Sequence, residues 1–276
     1  MNKLDIKSLY GLKYNPFLPG IPKHALYSLP GSETFELRIH SMARQGGFAL
    51  ITGEPGVGKS KTLHKIAGSL EKIPDLIVGV MQRPQSRLGD FYRELGELFN
   101  APLSVSNRYG GFKALRERWL HHCQSTLFKP VLLIDEAQHV SDECLTELRI
   151  LQSHQFDSKS LLFTILCGDN RLPERFRSAE LLPLGSRIGP RLVIEPLSPE
   201  QLQNYLHFAL DQAGNSGLMT QELIKALAGH AANNLRVLNQ MAAELLDAAA
   251  VKELPRIDEA LFFQLFSPGR SRPKRN

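Results

Sequence analysis

FALITGEPGVGKSKTLHKIAGSL, residues 48–70, decides the fold of this 276-residue chain. Its first part, FALITG (48–53), is short, apolar and ended by glycine, the pattern of a buried strand. Leu63, Ile66, Ala67 and Leu70 then recur at the i, i+3, i+4, i+7 spacing of one apolar face, which predicts a helix over 59–72. Between the two lies GEPGVGKS, Gly53 to Ser60, a G-x-x-x-x-G-K-S/T loop directly after a strand and directly before a helix. Gly53, Gly56 and Gly58 let the backbone wrap an anion, so that its N–H groups and the helix N-terminus face phosphate oxygens. Lys59 reaches the β- and γ-phosphates, and the Ser60 hydroxyl is a ligand for Mg2+. The predicted nucleotide contacts are Gly53, Glu54, Pro55, Gly56, Val57, Gly58, Lys59, Ser60 and Lys61, with ATP and Mg2+ as expected cofactors.

Outward from this loop, strands are expected at LIVGVM (76–81), VLLID (131–135), LLFTILC (161–167) and RLVIE (191–195). Amphipathic helices separate them, one carrying Leu88, Phe91, Tyr92, Leu95 and Phe99 on a single stripe and another running over 111–126. Continuous apolar strands alternating with such helices predict a three-layer α/β fold around a parallel sheet. Upstream, a helix is expected from Glu33 to Arg44, preceded by a strap rich in Pro, Gly and aromatic residues that reads as neither helix nor strand.

From Ser198 the pattern becomes wholly helical. Ser198 can cap, Pro199 suits a first turn, and Leu202, Tyr205, Leu206, Ala209 and Leu210 form an apolar face that stops near Gly214. Helices at 220–228, 234–250 and 258–266 complete a small all-α domain. The expected division is a strap at 1–30, a nucleotide-binding α/β domain at 31–197, a helical lid at 198–267 and a basic tail at 268–276.

Composition excludes several other classes. No apolar run approaches the ~20 residues of a membrane span, and the start lacks the apolar stretch of a secretory signal, so a cytoplasmic protein is expected. Cys123, Cys144 and Cys167 are far apart and lack the paired spacing of a disulfide framework or zinc site. The adjacent His121, His122 and Cys123 point different ways on a helix and do not form a metal site. Net charge is +5, of which Arg270, Arg272, Lys274 and Arg275 supply four units. Such a tail attracts phosphate backbones or simply solubilises the chain end.

VLLIDEAQ (131–138) supplies the partner of the phosphate loop. Its apolar strand delivers Asp135 to a sheet edge, where a carboxylate orients Mg2+ and its waters, and Glu136 beside it suits a base for an attacking water. Paired acids also open ordinary helices, so it is the upstream loop that gives this pair its meaning.

Through these segments the chain resembles the AAA+ family, and within it the branch of ExeA/GspA-type ATPases and the transposition ATPases TniB, TnsC and MuB. The resemblance covers most of residues 10–265 and rests on YGLKYNPF (10–17), GEPGVGKS, IDEAQ, LCGDNRLPERF, LGSRIGPRLVIEPLSPEQL and NNLRVLNQM. It implies a P-loop AAA+ sheet domain with a helical lid, and a polar sensor at the end of a core strand, where this chain has Asp169 and Asn170. Asn170 is chemically the better donor of the two. It further implies arginine fingers at Arg187 and Arg191 that act on a neighbouring subunit's nucleotide, a second sensor at Arg236, and a strap whose Leu12, Pro16 and Phe17 border the base. The competing reading of each arginine is a solvated surface residue.

The resemblance implies an ATP-hydrolysing homo-oligomer, ring or filament, assembled on double-stranded DNA to recruit or activate a transposase. The alternatives are a secretion or envelope-assembly ATPase acting on protein partners and a replication initiator or loader. Arg83, Arg87, Arg108, Lys113, Arg116 and Arg118 lie where the transposition branch lines a pore, and read equally as a solvated helix face.

Overall fold

The computed structural model describes residues 6–82, 87–101 and 108–266. They form two compact units, Ser28–Glu195 and a second made of residues 6–27 with residues 196–266.

In chain order, α1 (Ile6–Tyr10) opens the second unit. The first unit then runs α2 (Ser32–Gln45), β1 (Gly47–Gly53), α3 (Lys59–Leu70), β2 (Val78–Met81), α4 (Leu88–Leu98), α5 (Arg108–Ser125), β3 (Val131–Ile134) and α6 (Asp142–Gln152). It continues with the hairpin β4 (Ser153–His154) and β5 (Lys159–Ser160), then β6 (Phe163–Gly168), the short α7 (Leu172–Arg175) and α8 (Leu182–Gly185), and β7 (Ile188–Ile194). The main sheet has the order β2-β3-β6-β1-β7 and is parallel throughout. Because every strand points the same way, the residues that follow β1, β3 and β6 emerge at one edge, and this edge carries the candidate site.

The strands read as unbroken apolar runs because both faces are covered. Phe48, Leu50, Leu132, Ile134 and Leu166 join one core with Phe91, Trp119, Leu145 and Leu148 from α4, α5 and α6. On the sheet's other contacts, α2 and α3 touch each other and strands β1, β6 and β7. Residues of this kind contribute about 1.5–3 kcal/mol each when fully buried.

Several elements depart from expectation. Strand β7 begins at Ile188 rather than Arg191, although Gly189 and Pro190 look like a break. The β1–β7 register shifts between Phe48 and Leu50, so these residues sit in a bulge, and at the sheet's edge a proline removes no inner ladder bond. Helix α6 and the hairpin after it were not anticipated. Ser141 caps α6 by accepting from Cys144 N at 3.2 Å, with Asp142 and Glu143 in the first turn.

Three cations of the expected pore region have partners within the unit. Arg116 donates to the carbonyls of Leu151 (2.8 Å), Ile150 (3.3 Å) and Ser153, closing the C-terminal end of α6. Arg118 Nε donates to Phe99 O at 3.3 Å, and Lys113 pairs with Glu117 one helical turn away. Arg83 and the Arg108 side chain lie outside the described residues.

In the second unit, α9 (Pro199–Ala213) starts with a reciprocal capping box between Ser198 and Gln201 and stops at Gly214, whose φ is 103°. Thr220 caps α10 (Gln221–His230), and Asn234 caps α11 (Leu235–Val251), which is followed by α12 (Glu259–Phe266). The strap contains the helix α1, contrary to expectation, and a 3₁₀ turn at Lys23–Ala25. It is fastened to α9: Lys13 N donates to Ala213 O at 2.8 Å, and Tyr27 meets Tyr205 and Phe208 edge-on at 5.5 and 5.2 Å. Leu12 and Phe17 are buried. The expected tail, 268–276, lies outside the described residues. No helix among the described residues is long and apolar enough to cross a membrane.

Candidate nucleotide site

The loop between β1 and α3 has the backbone its glycines require. Gly56 and Gly58 have φ of 87° and 109°, in the left-handed region where a side chain is strained. Gly53 is needed for a different reason: a Cβ there would lie 2.5 Å from Ile194 O on β7. The loop leads into α3 through Gly58, and no side chain caps that helix. Its first N–H groups and the positive end of its dipole are therefore presented through glycine alone, which is the cradle a phosphate fits.

Lys59 opens α3 and is 9% exposed, with its Nζ donating to Glu54 O at 2.8 Å. Ser60 is exposed, and burial lowers the pKa of Lys61. On the neighbouring strand ends, Asp135 follows β3 and accepts from Glu136 N through Oδ1 at 2.9 Å. Glu136 itself is left-handed, with φ 50° and ψ 40°, an uncommon state for a residue with a Cβ and one that often marks a functional turn. Across the sheet, Ile134 pairs with Leu166, so Asp135 comes opposite Cys167 of β6. Burial, aided by the Asp135 carboxylate, pushes the Cys167 thiol well above its usual range and keeps it protonated.

At the end of β6, the Asp169 carboxylate is engaged by Arg171, through its backbone N at 2.9 Å and its guanidinium at 2.5 and 2.8 Å. Arg171 holds the Asp169 carboxyl below the usual carboxylate range, with Lys59 adding to the effect. Asn170, next in the turn, is exposed.

Of the site residues expected from sequence, Gly53 to Lys61, Asp135, Glu136 and Asn170 thus converge on one edge of the sheet. Arg187 and Arg191 do not. Ile188 pairs with Phe48 at the start of β1, so Arg187, one residue earlier, lies roughly 20 Å along the strands from Gly53 at ~3.3 Å per residue. Its guanidinium pairs with Asp157 on the β4–β5 hairpin at 2.5 Å and also donates to Pro183 O. Arg191 pairs with Leu50 and donates weakly to Gly185 O at 3.4 Å. Arg236 belongs to the second unit, in the first turn of α11.

Sequence reasoning missed two residues. Gln138 donates through Nε2 to Glu136 Oε2 and accepts from Asp169 N at 3.2 Å. Arg175, 24% exposed, donates to Gln138 O (3.0 Å), Val140 O (2.5 Å) and Asp142 Oδ1 (2.7 Å), pinning the turn that carries Gln138. Nothing local in IDEAQ or LPERF distinguishes these side chains from ordinary surface polar groups.

Parallel sheet, flanking helices and phosphate loop together define the fold of a P-loop NTPase of the AAA+ type. Residues 42–176 match the family model described as an AAA domain. In sequence, the chain is 29% identical over 210 residues to General secretion pathway protein A of Aeromonas hydrophila, covering 74% of this chain and 37% of that protein. It thus spans little more than a third of that relative. In structure, it is similar to the Aeropyrum pernix ORC2 protein in its ADPNP–ADP complexes, with a TM-score of 0.69 and 15% identity over 94% of this chain and 72% of the other. It is also similar to the Aeropyrum pernix ORC1 protein in complex with DNA, with a TM-score of 0.64 and 16% identity over 90% of this chain and 67% of the other. At these identities the likeness is one of fold.

Proposed function

We propose that the chain is a Mg2+-dependent ATPase that works as a homo-oligomer. The observation that carries this is the uncapped N-terminus of α3, entered through left-handed glycines beside the buried Lys59, with Asp135 and Glu136 on the same sheet edge. Loop N–H groups and Lys59 bind the phosphates, Lys59 exchanging the Glu54 carbonyl for phosphate oxygens. Ser60 and Asp135 would hold the metal, which when bound would neutralise charge on the phosphoryl oxygens. Glu136 orients a water and accepts its proton. Asn170 is the polar sensor, because the Asp169 carboxylate is already engaged by Arg171. Arg187, with Arg191 behind it, acts on a neighbouring copy's nucleotide.

For the output of the cycle, the reading is a transposition helper that assembles on duplex DNA and recruits a transposase. The basic closing sequence and the fold shared with a protein solved in complex with DNA support it. The involvement of Arg116 and Arg118 in the fold itself counts against a pore lined by all six cations. The match to General secretion pathway protein A favours a second reading, an ATPase acting on protein partners of an export or envelope system. Anisotropy of random duplex DNA, with and without a non-hydrolysable ATP analogue across a salt series, separates the two. Nucleotide-dependent binding with a steep salt slope supports the DNA reading. No binding in either nucleotide state removes it.

A further inference from the structure

The amide of Gln138 spans two parts of the site that no covalent path joins closely. Its Nε2 donates to Glu136 Oε2, and its Oε1 accepts from Asp169 N at 3.2 Å. Only one orientation of the amide fits, because an ionised carboxylate accepts only and a backbone N–H donates only. The arrangement is built on both sides. Gly168 leaves the space, since a Cβ there would lie 2.4 Å from Gln138 Oε1. Arg175 holds Gln138 from behind through its carbonyl at 3.0 Å. Glu136 meanwhile sits in a left-handed conformation, with φ 50°.

We propose that Gln138 is a positioning residue that fixes the Glu136 carboxylate and ties it to the Asp169–Asn170 turn. A change of that turn on nucleotide binding is thereby felt at the group that orients water. This rests on the ATPase reading of the same site. One end of the bridge is a charge-assisted hydrogen bond and the other is a neutral one, so the two ends are separable by substitution. Gln138→Glu keeps the acceptor for Asp169 N but sets a carboxylate against Glu136. Gln138→Met removes both ends at similar volume.

The test measures kcat, nucleotide Kd and, in nucleotide-free protein, hydrogen exchange of the Asp169 amide. Gln138→Met is expected to lower kcat roughly 10- to 100-fold, the range seen when a partner that orients a working ligand is lost, with Kd little changed. Its Asp169 amide should exchange about tenfold faster, reflecting local opening of the turn. Gln138→Glu should lose kcat while keeping the exchange protection, a split that a merely structural role does not produce. Gly168→Ala, which crowds the amide at 2.4 Å and the buried Leu172 side chain at 2.5 Å, should likewise lower kcat and speed Asp169 exchange, and it serves as the test should Gln138→Met not fold. The double variant should be no worse than either single one. Unchanged kcat and unchanged exchange in Gln138→Met, in a protein whose turnover needs Lys59 and Glu136, overturns the proposal and leaves the ATPase reading standing. Absence of Lys59-dependent turnover in the unaltered protein removes the ATPase reading and, with it, this one.

Discussion

The Lys59 ammonium donates a 2.8 Å hydrogen bond to the Glu54 carbonyl, five residues earlier in the same loop. The loop thus offers its own backbone as acceptor for a charge that is almost fully buried. Exchanging that carbonyl for an anionic oxygen is favourable, because charge-assisted hydrogen bonds are shorter and stronger than those to neutral acceptors. Lys59→Ala is therefore expected to weaken Mg-nucleotide binding by about 1.5–3 kcal/mol, or roughly 10- to 150-fold. Titration with a fluorescent ATP analogue checks it, and an unchanged Kd removes Lys59 from the phosphate site.

Glu136 separates stability from activity. A non-glycine residue at φ 50° and ψ 40° is strained by roughly 1 kcal/mol, and its side chain is exposed. Glu136→Gly should leave stability within about 0.5 kcal/mol, the relieved strain being offset by the glycine's greater unfolded-state entropy, while turnover is lost. Glu136→Gln should keep nucleotide bound and slow hydrolysis by about 10²- to 10⁴-fold. Thermal melts paired with single-turnover hydrolysis measure both. Full turnover in Glu136→Gln excludes it as the base.

What could be read from sequence follows how local each cause is. The strand-loop-helix around Gly53 to Ser60, the strand before Asp135 and the helix start at Ser198 and Pro199 are set by residues within a few positions of one another, and all three occur where their patterns place them. The start of β7 depends on its being the edge strand beside β1, which no window around Gly189 and Pro190 contains. The bridge from Gln138 to Asp169 spans 31 residues, and Arg175 reaches Gln138 across 37. Arg116 reads as a solvated cation until the end of α6, unanticipated in the sequence, is found beside it.

Two glycines offer opposite outcomes for the same substitution. At Gly53 an added methyl would lie 2.5 Å from the backbone oxygen of Ile194 and 3.0 Å from Val57, so β1 and β7 must separate. Gly53→Ala is expected to destabilise by about 1–3 kcal/mol. At Gly89, in the first turns of α4, the same methyl meets nothing within 4 Å. Gly89→Ala is expected to stabilise by about 0.5–1 kcal/mol through helix propensity. Denaturant midpoints for the two variants should move in opposite directions, and a shared direction contradicts the packing of Gly53 against β7.

Arg187 is held within its own chain by Asp157 at 2.5 Å, on a hairpin whose tip residues Gln155, Phe156 and Asp157 are all left-handed. Both partners are about a third exposed, so the pair adds little stability, well under ~1 kcal/mol after solvent screening. On the proposed reading, this guanidinium, far along the strands from its own phosphate loop, serves a neighbouring copy. If it serves there, turnover per chain should rise with protein concentration, and Arg187→Ala should abolish the rise while nucleotide affinity stays within about twofold, as expected for a group that touches only the partner's phosphates. Asp157→Asn frees the same guanidinium, so it should keep or increase the concentration-dependent rate and leave the melting temperature nearly unchanged. Mixing Arg187→Ala with a Glu136→Gln chain gives the sharper measurement: each supplies what the other lacks, and partial turnover should return in the mixture. No restored turnover, with both variants folded and binding nucleotide, assigns Arg187 to the hairpin alone.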